Sequence, residues 1–338
     1  MKAAIVGATG AVGREIMRAL PASAVPVDEV VLVASPRSAG SVLSYDNTPH
    51  TVRALEADVF EGVDLALFSA GGARSKEWAP VAAEAGAVVV DNSSAWRLDP
   101  DVPLVVPEVN RHALRDHKGI IANPNCSTIQ LMLPLKALDD AVGLKRVVIA
   151  TYQSASGAGQ SGSDELWAGI RAAAAGEPVE HEVFARPLAM DVIPHIGDFR
   201  DDGYTTEERK MLDESRIILE RPDLAVSATC VRVPVDRGHL EAVTVDLGEA
   251  LSVAEAREAM ASVPGLVLLD SPADARYPIA RDAAGRPETF VGRLRQDPCL
   301  PATLHFWVVA DNLLKGAATN AVQIAEALHE EGLLGTTR

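Results

Sequence analysis

The chain has 338 residues, 48% hydrophobic and 23% charged, a composition typical of globular proteins and a length that suggests two domains. Its net charge of −16 argues against nucleic acid as a partner, because an acidic surface repels phosphate backbones. No apolar run approaches the ~20 residues of a membrane helix, and the three cysteines are too few and too scattered for a disulfide framework. We therefore expect a cytoplasmic protein with no membrane partner.

Residues 1–125 alternate short apolar runs with helical stretches. Continuous apolar strands that alternate with helices are typical of an α/β fold with a doubly wound parallel sheet of the Rossmann type. We predict strands at six such runs, residues 2–6, 29–34, 65–70, 87–90, 104–106 and 119–122.

A glycine-rich turn follows the first predicted strand and opens a predicted helix over residues 14–20. Glycines let the backbone approach a pyrophosphate, which the helix N-terminus then attracts. The spacing G-x-x-G-x-x-G departs from the usual G-x-G-x-x-G, and a purely structural turn is the alternative. The predicted cofactor contacts of this turn are Gly7, Thr9, Gly10, Ala11, Val12 and Gly13.

The second predicted strand ends without the carboxylate that usually meets a free ribose 2′-hydroxyl. Instead, Arg37 is placed to pair with a 2′-phosphate, and Ser38 can donate a hydrogen bond to it. This pattern favours NADP over NAD. The alternative is a solvated loop arginine.

Cys126 lies between a predicted strand end and the predicted helix that follows it. The amides and the dipole of a helix's first turn stabilise a thiolate, which makes such a cysteine a nucleophile. The alternative is a small buried cysteine at a turn.

From about Leu144 the pattern changes to longer β-rich runs at residues 145–154, 225–235, 240–247 and 303–310. Their alternation predicts a sheet with one covered face and one face available to a partner. A helix over residues 311–334 is expected to close the chain.

With these features in place, the chain resembles the aspartate-semialdehyde dehydrogenase family nearly from end to end. The motifs that carry the resemblance lie at residues 7–13, 37–38, 68–72, 103–110, 123–128, 151–154, 231–235, 237–239 and 310–313. The resemblance implies an NADP-dependent phosphorylating aldehyde dehydrogenase. Such an enzyme reduces 4-phospho-L-aspartate to L-aspartate 4-semialdehyde through a cysteine acyl-thioester, in lysine, methionine and threonine biosynthesis.

The resemblance also implies roles for individual residues. Cys126 resembles the nucleophile, His239 the general acid/base and Gln153 the residue that orients the substrate. Arg232 is similar to the arginine that binds the substrate carboxylate. Further implied contacts are Arg97, Asn125, Glu207 and Lys210 for the substrate, with Arg97 and Lys210 at its phosphate, and Ser156, Gly157 and Asn312 for the cofactor.

From the residues alone, blander interpretations of these positions remain. A histidine such as His239 is most often a surface or core residue, and Gln153 would suit any hydrogen-bonded sheet. Arg232 lies in an apolar strand, so its charge should be paired or face a ligand, and a structural salt bridge is the alternative.

Two alternative functions stay open at this stage. N-acetyl-glutamyl-phosphate reductase shares the Cys–His chemistry and differs in substrate, but the contexts of residues 123–126 and 237–239 favour the aspartyl enzyme. An inactive dehydrogenase-like binding protein should lack the nucleophile or the base, and this chain keeps both. The chain departs from the family pattern at Ser41, Asp236, Leu240 and Leu314.

We therefore predict two α/β domains. The first, residues 1–125 with 312–338, binds NADP, and the second, residues 126–311, carries the substrate and the catalytic residues on a mixed sheet. The resemblance implies that this sheet also makes the subunit contact of a homodimer or homotetramer. No His, Cys or Asp cluster has the spacing of a metal site.

Overall fold

The computed structural model describes residues 1–334, in which the chain divides into two units. One unit contains residues 1–125 and the chain from Ala317 onward, and the other contains residues 126–316. The sequence placed the second crossing at residue 312, five residues earlier, and residues 335–338 of its first domain lie outside the described residues. The functions assigned to the two domains stay predictions.

Strands β1 to β14 occupy, in chain order, Lys2–Val6, Glu29–Ala34, Val42–Tyr45, Thr48–Thr51, Arg53–Ala54, Leu65–Phe68, Val88–Asp91, Ile120–Ala122, Leu144–Gln153, Ala225–Arg232, His239–Leu247, Leu266–Leu268, Thr289–Gln296 and Thr303–Ala310. Helices α1 to α9 occupy Ala11–Ala19, Gly72–Glu84, Pro107–Asn110, Cys126–Val142, Gln160–Ala175, Thr206–Ile218, Val253–Ala261, Ala280–Ala283 and Thr319–Glu330. Within residues 1–334, none of the helices combines the length and the apolar character needed to cross a membrane.

The first unit is built on a six-stranded parallel sheet with the order β5-β2-β1-β6-β7-β8. Its strands are apolar on both faces, because helices pack on both. Ile5 and Leu67 pack with Ile16 of α1 on one face, and Phe68 packs with Ala79 of α2 on the other. The predicted doubly wound parallel sheet is confirmed, and its strand order reverses between β1 and β6.

The second unit is built on a six-stranded mixed sheet with the order β10-β9-β11-β14-β13-β12. The pairs β9/β10 and β12/β13 are parallel, and the other three pairs are antiparallel. Helices α4, α6 and α7 pack on the sheet. On β9 and β14, the partly exposed Tyr152 and Trp307 contact each other with ring centroids 5.3 Å apart. The predicted mixed sheet with one covered face is confirmed.

Local differences from the sequence prediction have physical causes. The expected strand at 104–106 is absent, because Leu104 makes only one bridge, to Ala122, and α3 begins at Pro107. A hairpin of β3 and β4 was not predicted, because its strands are largely polar. Its turn places Asp46 and Asn47 at φ values of 46° and 61°, as a two-residue type I′ turn requires.

The closing helix begins later than expected. A π-helical turn, Leu314–Ala318, comes first, and α9 starts only at Thr319. Such turns occur mostly as single turns that interrupt a regular α-helix.

Candidate active site

The turn after β1 leaves no room for a side chain at residues 7 and 13. Gly7 has a φ of +93°, and a Cβ placed on it would lie 2.2 Å from the Ser69 carbonyl oxygen that follows β6. A Cβ on Gly13 would lie 2.1 Å from the Gly7 oxygen. The Gly7 and Ala8 amides both donate to the Val33 carbonyl, at 2.8 and 3.1 Å. A phosphate approaching this turn would therefore meet the amides at the start of α1, which has no acidic residue in its first turn.

Arg37 and Ser38 lie in a short 3₁₀ turn, Pro36–Ser38, directly after β2. The Arg37 side chain is exposed and makes no ion pair with any described residue. Ser41, one of the departures from the family pattern, donates its hydroxyl to the Ser38 carbonyl at 2.7 Å. Arg37 is thus available to an external anion. It follows β2, the strand that pairs with β1, and the glycine turn follows β1.

Arg97, predicted to contact phosphate, is 8% exposed. Its Nε donates to the Asn123 carbonyl and its Nη2 to the Asn92 carbonyl, both at 2.9 Å. These two carbonyls follow the ends of β8 and β7, so two strand ends hold the guanidinium. Asn125, the other residue predicted here, is 5% exposed and is the last residue of the first unit's N-terminal part.

A buried carboxyl that the sequence analysis missed lies next to Arg97. Asp91 ends β7, is fully buried and accepts the Ser93 hydroxyl at 2.5 Å. Burial raises the pKa of Asp91, while hydrogen bonds from Ser93 and Ser75 and the charge of Arg97 lower it in part. The only sequence signal was an acidic residue at the end of an apolar strand.

Cys126 is the first residue of α4, and it is partly exposed. The charge of Arg232 acts on it, and the backbone of Gly316 comes so close that a Cβ there would lie 3.0 Å from the Cys126 Cβ. Cys230, by contrast, is buried in β10, and burial raises the pKa of its thiol. Of these two thiols, only Cys126 combines access, a helix N-terminus and a cation.

His239 is the first residue of β11, and its side chain is fully buried. The Ser154 backbone amide donates to His239 Nδ1 at 3.1 Å, and the Ser154 hydroxyl lies 3.1 Å from the same nitrogen. His239 Nε2 has no hydrogen-bond partner among the described residues. Because a backbone amide can only donate, Nδ1 must accept, and the neutral ring carries its proton on Nε2.

The surroundings of His239 keep its ring neutral. Burial, together with the positive charge of Arg232, lowers the pKa of His239 from its ordinary 6.5 to about 3, against the opposite effects of Glu207 and the Gly238 backbone. At neutral pH the side chain is therefore an uncharged imidazole that presents an N–H, with no described acceptor, at Nε2.

Asn312 and Ser156, both predicted to contact cofactor, hold the segment around His239. The Asn312 Oδ1 accepts the Gly238 amide at 2.9 Å and the Ser154 hydroxyl at 3.1 Å. Its Nδ2 donates to the Ser156 hydroxyl at 3.0 Å. Asn312 therefore links the residue before the histidine to the residue that bonds the histidine ring, and its cofactor contact stays a prediction.

Arg232 ends β10 and is 6% exposed. Its Nη1 donates to the Ser154 carbonyl at 2.6 Å, and its guanidinium lies 5.7 Å from the centroid of the Phe184 ring. A Cβ on Gly157 would lie 2.7 Å from the Arg232 Nη1 and 3.1 Å from the His239 Nε2. The arginine and the histidine thus share one small space, which the absence of a side chain at residue 157 keeps open.

Gln153, Glu207 and Lys210 form one hydrogen-bonded chain. The Thr151 hydroxyl donates to Gln153 Oε1 at 3.0 Å, Gln153 Nε2 donates to Glu207 Oε1 at 3.1 Å, and Lys210 Nζ donates to Glu207 Oε2 at 2.9 Å. Glu207 lies in the first turn of α6, which the Thr205 capping box begins. Glu207 is buried, whereas the Lys210 side chain is 33% exposed.

The predicted site residues thus fall into two groups by unit. The second unit holds Cys126, Gln153, Ser156, Gly157, Glu207, Lys210, Arg232, His239 and Asn312. The first holds Gly7, Thr9, Gly10, Ala11, Val12, Gly13, Arg37, Ser38, Arg97 and Asn125. Ser154, which contacts both Arg232 and His239, was missed, although it directly follows Gln153 in a motif that the sequence analysis singled out.

Comparison with known proteins gives matches along the whole chain. The family model "Semialdehyde dehydrogenase, NAD binding domain" matches residues 2–117, and "Semialdehyde dehydrogenase, dimerisation domain" matches residues 135–315. Aspartate-semialdehyde dehydrogenase of Aquifex aeolicus is 51% identical over 98% of this chain and 99% of its own length. The crystal structure of aspartate semialdehyde dehydrogenase II from Vibrio cholerae is 46% identical, with a TM-score of 0.95 over 98% of each chain. The Vibrio cholerae enzyme complexed with ASA is 45% identical, with a TM-score of 0.94 over 98% of each chain.

Proposed function

Because the chain belongs to the aspartate-semialdehyde dehydrogenase family, we propose that it reduces 4-phospho-L-aspartate to L-aspartate 4-semialdehyde with NADPH and releases phosphate. The observation that carries this proposal is the shared space of Arg232 and His239, in the unit whose helix α4 begins with Cys126. The similar Vibrio cholerae enzyme with bound ASA supports the substrate class.

Cys126 supplies the nucleophile. Its sulfur attacks the acyl-phosphate carbon, a C–S bond forms, and the bond from that carbon to the phosphate oxygen breaks. The positive charge of Arg232 acts on this sulfur and favours its thiolate. After reduction the C–S bond breaks, which returns the thiolate to Cys126 and releases the aldehyde.

His239 supplies a hydrogen-bond donor. Its Nε2–H, fixed by the Ser154 amide on Nδ1, is directed into the space that it shares with Arg232. A donor there stabilises the negative charge that develops on the carbonyl oxygen when a nucleophile or hydride adds to its carbon. The general acid/base role predicted for His239 is proposed for the same nitrogen, Nε2, on a ring whose pKa burial and Arg232 lower to about 3.

The substrate's charged groups need opposite charges inside a protein of net charge −16. Arg232 is proposed to hold the carboxylate, since its planar fork can make two parallel hydrogen bonds. Arg97, Lys210 and Asn125 are proposed to hold phosphate. Gln153, held between Thr151 and Glu207, is proposed to orient the acyl group.

The first unit fits a dinucleotide, because the backbone contacts at residues 7 and 13 leave room only for glycine in the turn between β1 and α1. The residues proposed to hold the cofactor are the turn at residues 7–13, Arg37 and Ser38, with Ser156, Gly157 and Asn312 from the second unit. A nicotinamide cofactor, when bound, supplies a hydride to the thioester carbon. Arg37, which is exposed and has no ion pair within residues 1–334, supports NADP over NAD.

Arg37→Ala should separate the two cofactors. Loss of a charge-assisted contact costs about 1.5–3 kcal/mol, so the KM for NADP+ should rise about ten- to a hundredfold while that for NAD+ stays nearly unchanged. Arg18→Ala is the control, because Arg18 is an exposed arginine of the same unit that is paired with Glu15. Equal weakening of both cofactors would show that Arg37 has a structural role.

We further propose that the chain forms a homodimer, or a homotetramer built from two such dimers, through the mixed sheet. The partly exposed Tyr152 and Trp307 support this, as does the dimerisation-domain family model over residues 135–315. The cytoplasmic location expected from the sequence also stays a prediction.

The proposed function is tested by the reverse reaction. Purified protein should reduce NADP+ when given L-aspartate 4-semialdehyde and phosphate, and much less with N-acetyl-glutamate semialdehyde. Cys126→Ala should abolish this activity, whereas Cys230→Ala, in the same unit, should retain it. Activity without added phosphate, or an active Cys126→Ala variant, would contradict the proposed chemistry.

A further inference from the structure

Glu241 is a buried carboxyl that none of the proposed steps uses. It lies two residues after His239 on β11, so the two side chains point to the same face of the sheet. Glu241 is fully buried, and neither of its carboxyl oxygens has a hydrogen-bond partner among the described residues. An ionised carboxyl in that state would be very costly, because nothing replaces its lost hydration.

The immediate neighbours of Glu241 offer no cation. In the sheet it lies opposite Thr151 of β9 and Val308 of β14. From α4, the uncharged amide of Gln130 acts on its carboxyl and lowers its pKa in part, and in β10 the Cys230 thiol is affected by its charge. Burial is the main effect on Glu241, and it raises the pKa of the carboxyl well above its ordinary value.

The charged groups one step further away do not change this. Glu207 and Glu208 of α6 act on Cys230 together with Glu241, and both are acidic. Arg232 acts on His239 and on Glu207, but it is not among the groups that shift the pKa of Glu241. Glu207 and Glu208 are not among those groups either, so the state of Glu241 depends on its burial and on Gln130.

Gln130 connects this carboxyl to the active-site elements. It lies on α4 four residues after Cys126, one turn further along the same side of the helix. Its Nε2 donates to the His239 backbone carbonyl at 3.4 Å, and it is fully buried. Its Oε1 has no donor among the described residues. A protonated Glu241 carries one O–H, which is the donor that Gln130 Oε1 lacks.

We propose that Glu241, as a neutral acid, and Gln130 are a pair of positioning residues that ties the His239 end of β11 to the helix that begins with Cys126. The Glu241 hydroxyl donates to Gln130 Oε1, and Gln130 Nε2 donates to the His239 carbonyl. The pair thereby fixes the distance between the element of the nucleophile and that of the imidazole. This inference rests on the proposed function, in which both residues act on one substrate.

The first test separates the effect of side-chain shape at residues 241 and 130 from the effect of their hydrogen bonds. Glu241→Gln keeps a neutral donor and should retain kcat within about threefold. Glu241→Leu and Gln130→Leu remove the link and should lower kcat about ten- to a hundredfold, with the KM for NADP+ unchanged, because a small displacement of catalytic groups is enough for such a loss. The double leucine variant should be no worse than the single ones, since the residues act as one unit.

Val245→Ala is the matched control. Val245 is a fully buried residue on the same face of β11, four residues beyond Glu241, and its truncation should lower the melting temperature without lowering kcat. Wild-type kcat in Glu241→Leu would overturn the proposal. So would a Glu241→Gln variant as slow as Glu241→Leu, because the link needs only a neutral donor.

A second measurement does not depend on activity. The folded protein keeps Glu241 protonated, whereas the unfolded chain releases that proton above its ordinary pKa of 4.5, so the contribution of Glu241 to stability should fall as the pH rises from 5 to 8. Glu241→Gln removes this contribution. The urea midpoint of this variant should therefore rise relative to that of the wild type as the pH increases over that range. A gap between the two urea midpoints that does not change with pH would mean that Glu241 is ionised in the folded protein, and it would overturn the proposal. If wild type does not turn over the semialdehyde but the gap appears, the proposed function fails and the neutral link stands.

Discussion

His239 shows how two neighbours and burial together set the chemistry of one side chain. Ser154 fixes which nitrogen carries the proton, burial removes the hydration that would stabilise an imidazolium, and Arg232 adds an unfavourable positive charge. An exposed histidine would be partly protonated near neutral pH and could rotate. Here the ring is neutral and held, so it can donate from Nε2 at any pH at which the protein is folded and active.

His239→Asn should keep the fold but lose most of the rate. The asparagine Oδ1 can still accept the Ser154 amide, while no N–H replaces Nε2–H at the same position. We expect kcat to fall about 10²- to 10⁴-fold, the usual contribution of a general acid or base, with the KM for NADP+ unchanged. Steady-state kinetics on the purified variant measures both. An unchanged kcat would move the role to another residue.

The same variant tests the pKa of the imidazole. The unfolded chain binds a proton on His239 below its ordinary pKa of 6.5, whereas the folded protein does so only near pH 3. The contribution of His239 to stability should therefore fall as the pH drops from 7 to 4, and this contribution should be missing in His239→Asn. Urea unfolding at several pH values measures the difference. Parallel pH dependence of the two proteins would show that the folded imidazole titrates normally.

At the level of elements, the contact between the first turn and α1 is the most demanding feature of the first unit. The axis of α1 can approach the β1 turn only because residue 13 has no Cβ, which would lie 2.1 Å from the Gly7 oxygen. That distance is far below any real contact, so a side chain there must displace the helix whose N-terminus is proposed to meet the phosphates.

Gly13→Ala should therefore reduce the affinity for the cofactor more than it reduces the stability of the fold. We expect about 1–3 kcal/mol of lost stability, the usual effect of overpacking, and a raised Kd for NADP+. Gly72→Ala is the control, because Gly72 begins α2 in the same unit and a Cβ on it would meet nothing within 4 Å. Calorimetric titration and thermal melting measure both effects. A Gly13→Ala variant that binds NADP+ normally would contradict this function of the turn.

At the level of the whole molecule, the mixed sheet leaves aromatic surface uncovered in a single chain. Tyr152 is 36% exposed, and its partner Trp307, also partly exposed, donates its indole N–H to the Pro278 carbonyl at 3.1 Å. Aromatic side chains that already have a hydrogen-bond partner can be buried against another chain at little further cost. A second copy that covers the sheet would bury them.

Trp307→Asp should dissociate the proposed dimer. A carboxylate in a covered apolar interface is costly, so sedimentation velocity should show a monomer where the wild type is a dimer. Leu98→Asp is the control, because Leu98 is 62% exposed and belongs to the first unit. A folded Trp307→Asp variant that stays dimeric would place the subunit contact elsewhere.

The sequence by itself determined the parallel sheet, the mixed sheet and the family, because these depend on local patterns. Apolar runs at residues 2–6 and 303–310 coincide with β1 and β14, since period and composition specify a strand without knowledge of its neighbours. The strand predicted at residues 104–106 does not form, because the prolines around it limit pairing to a single bridge, at Leu104.

Only the tertiary structure decided the chemistry of the candidate site, because that chemistry depends on residues far apart in the chain. Nothing local to His239 indicates that Ser154, 85 positions earlier, fixes its tautomer, or that Arg232 lowers its pKa. Glu241 would look like any charged residue of a half-exposed strand. Its neutral state follows from complete burial beside Gln130, which exists only once α4 packs on β11.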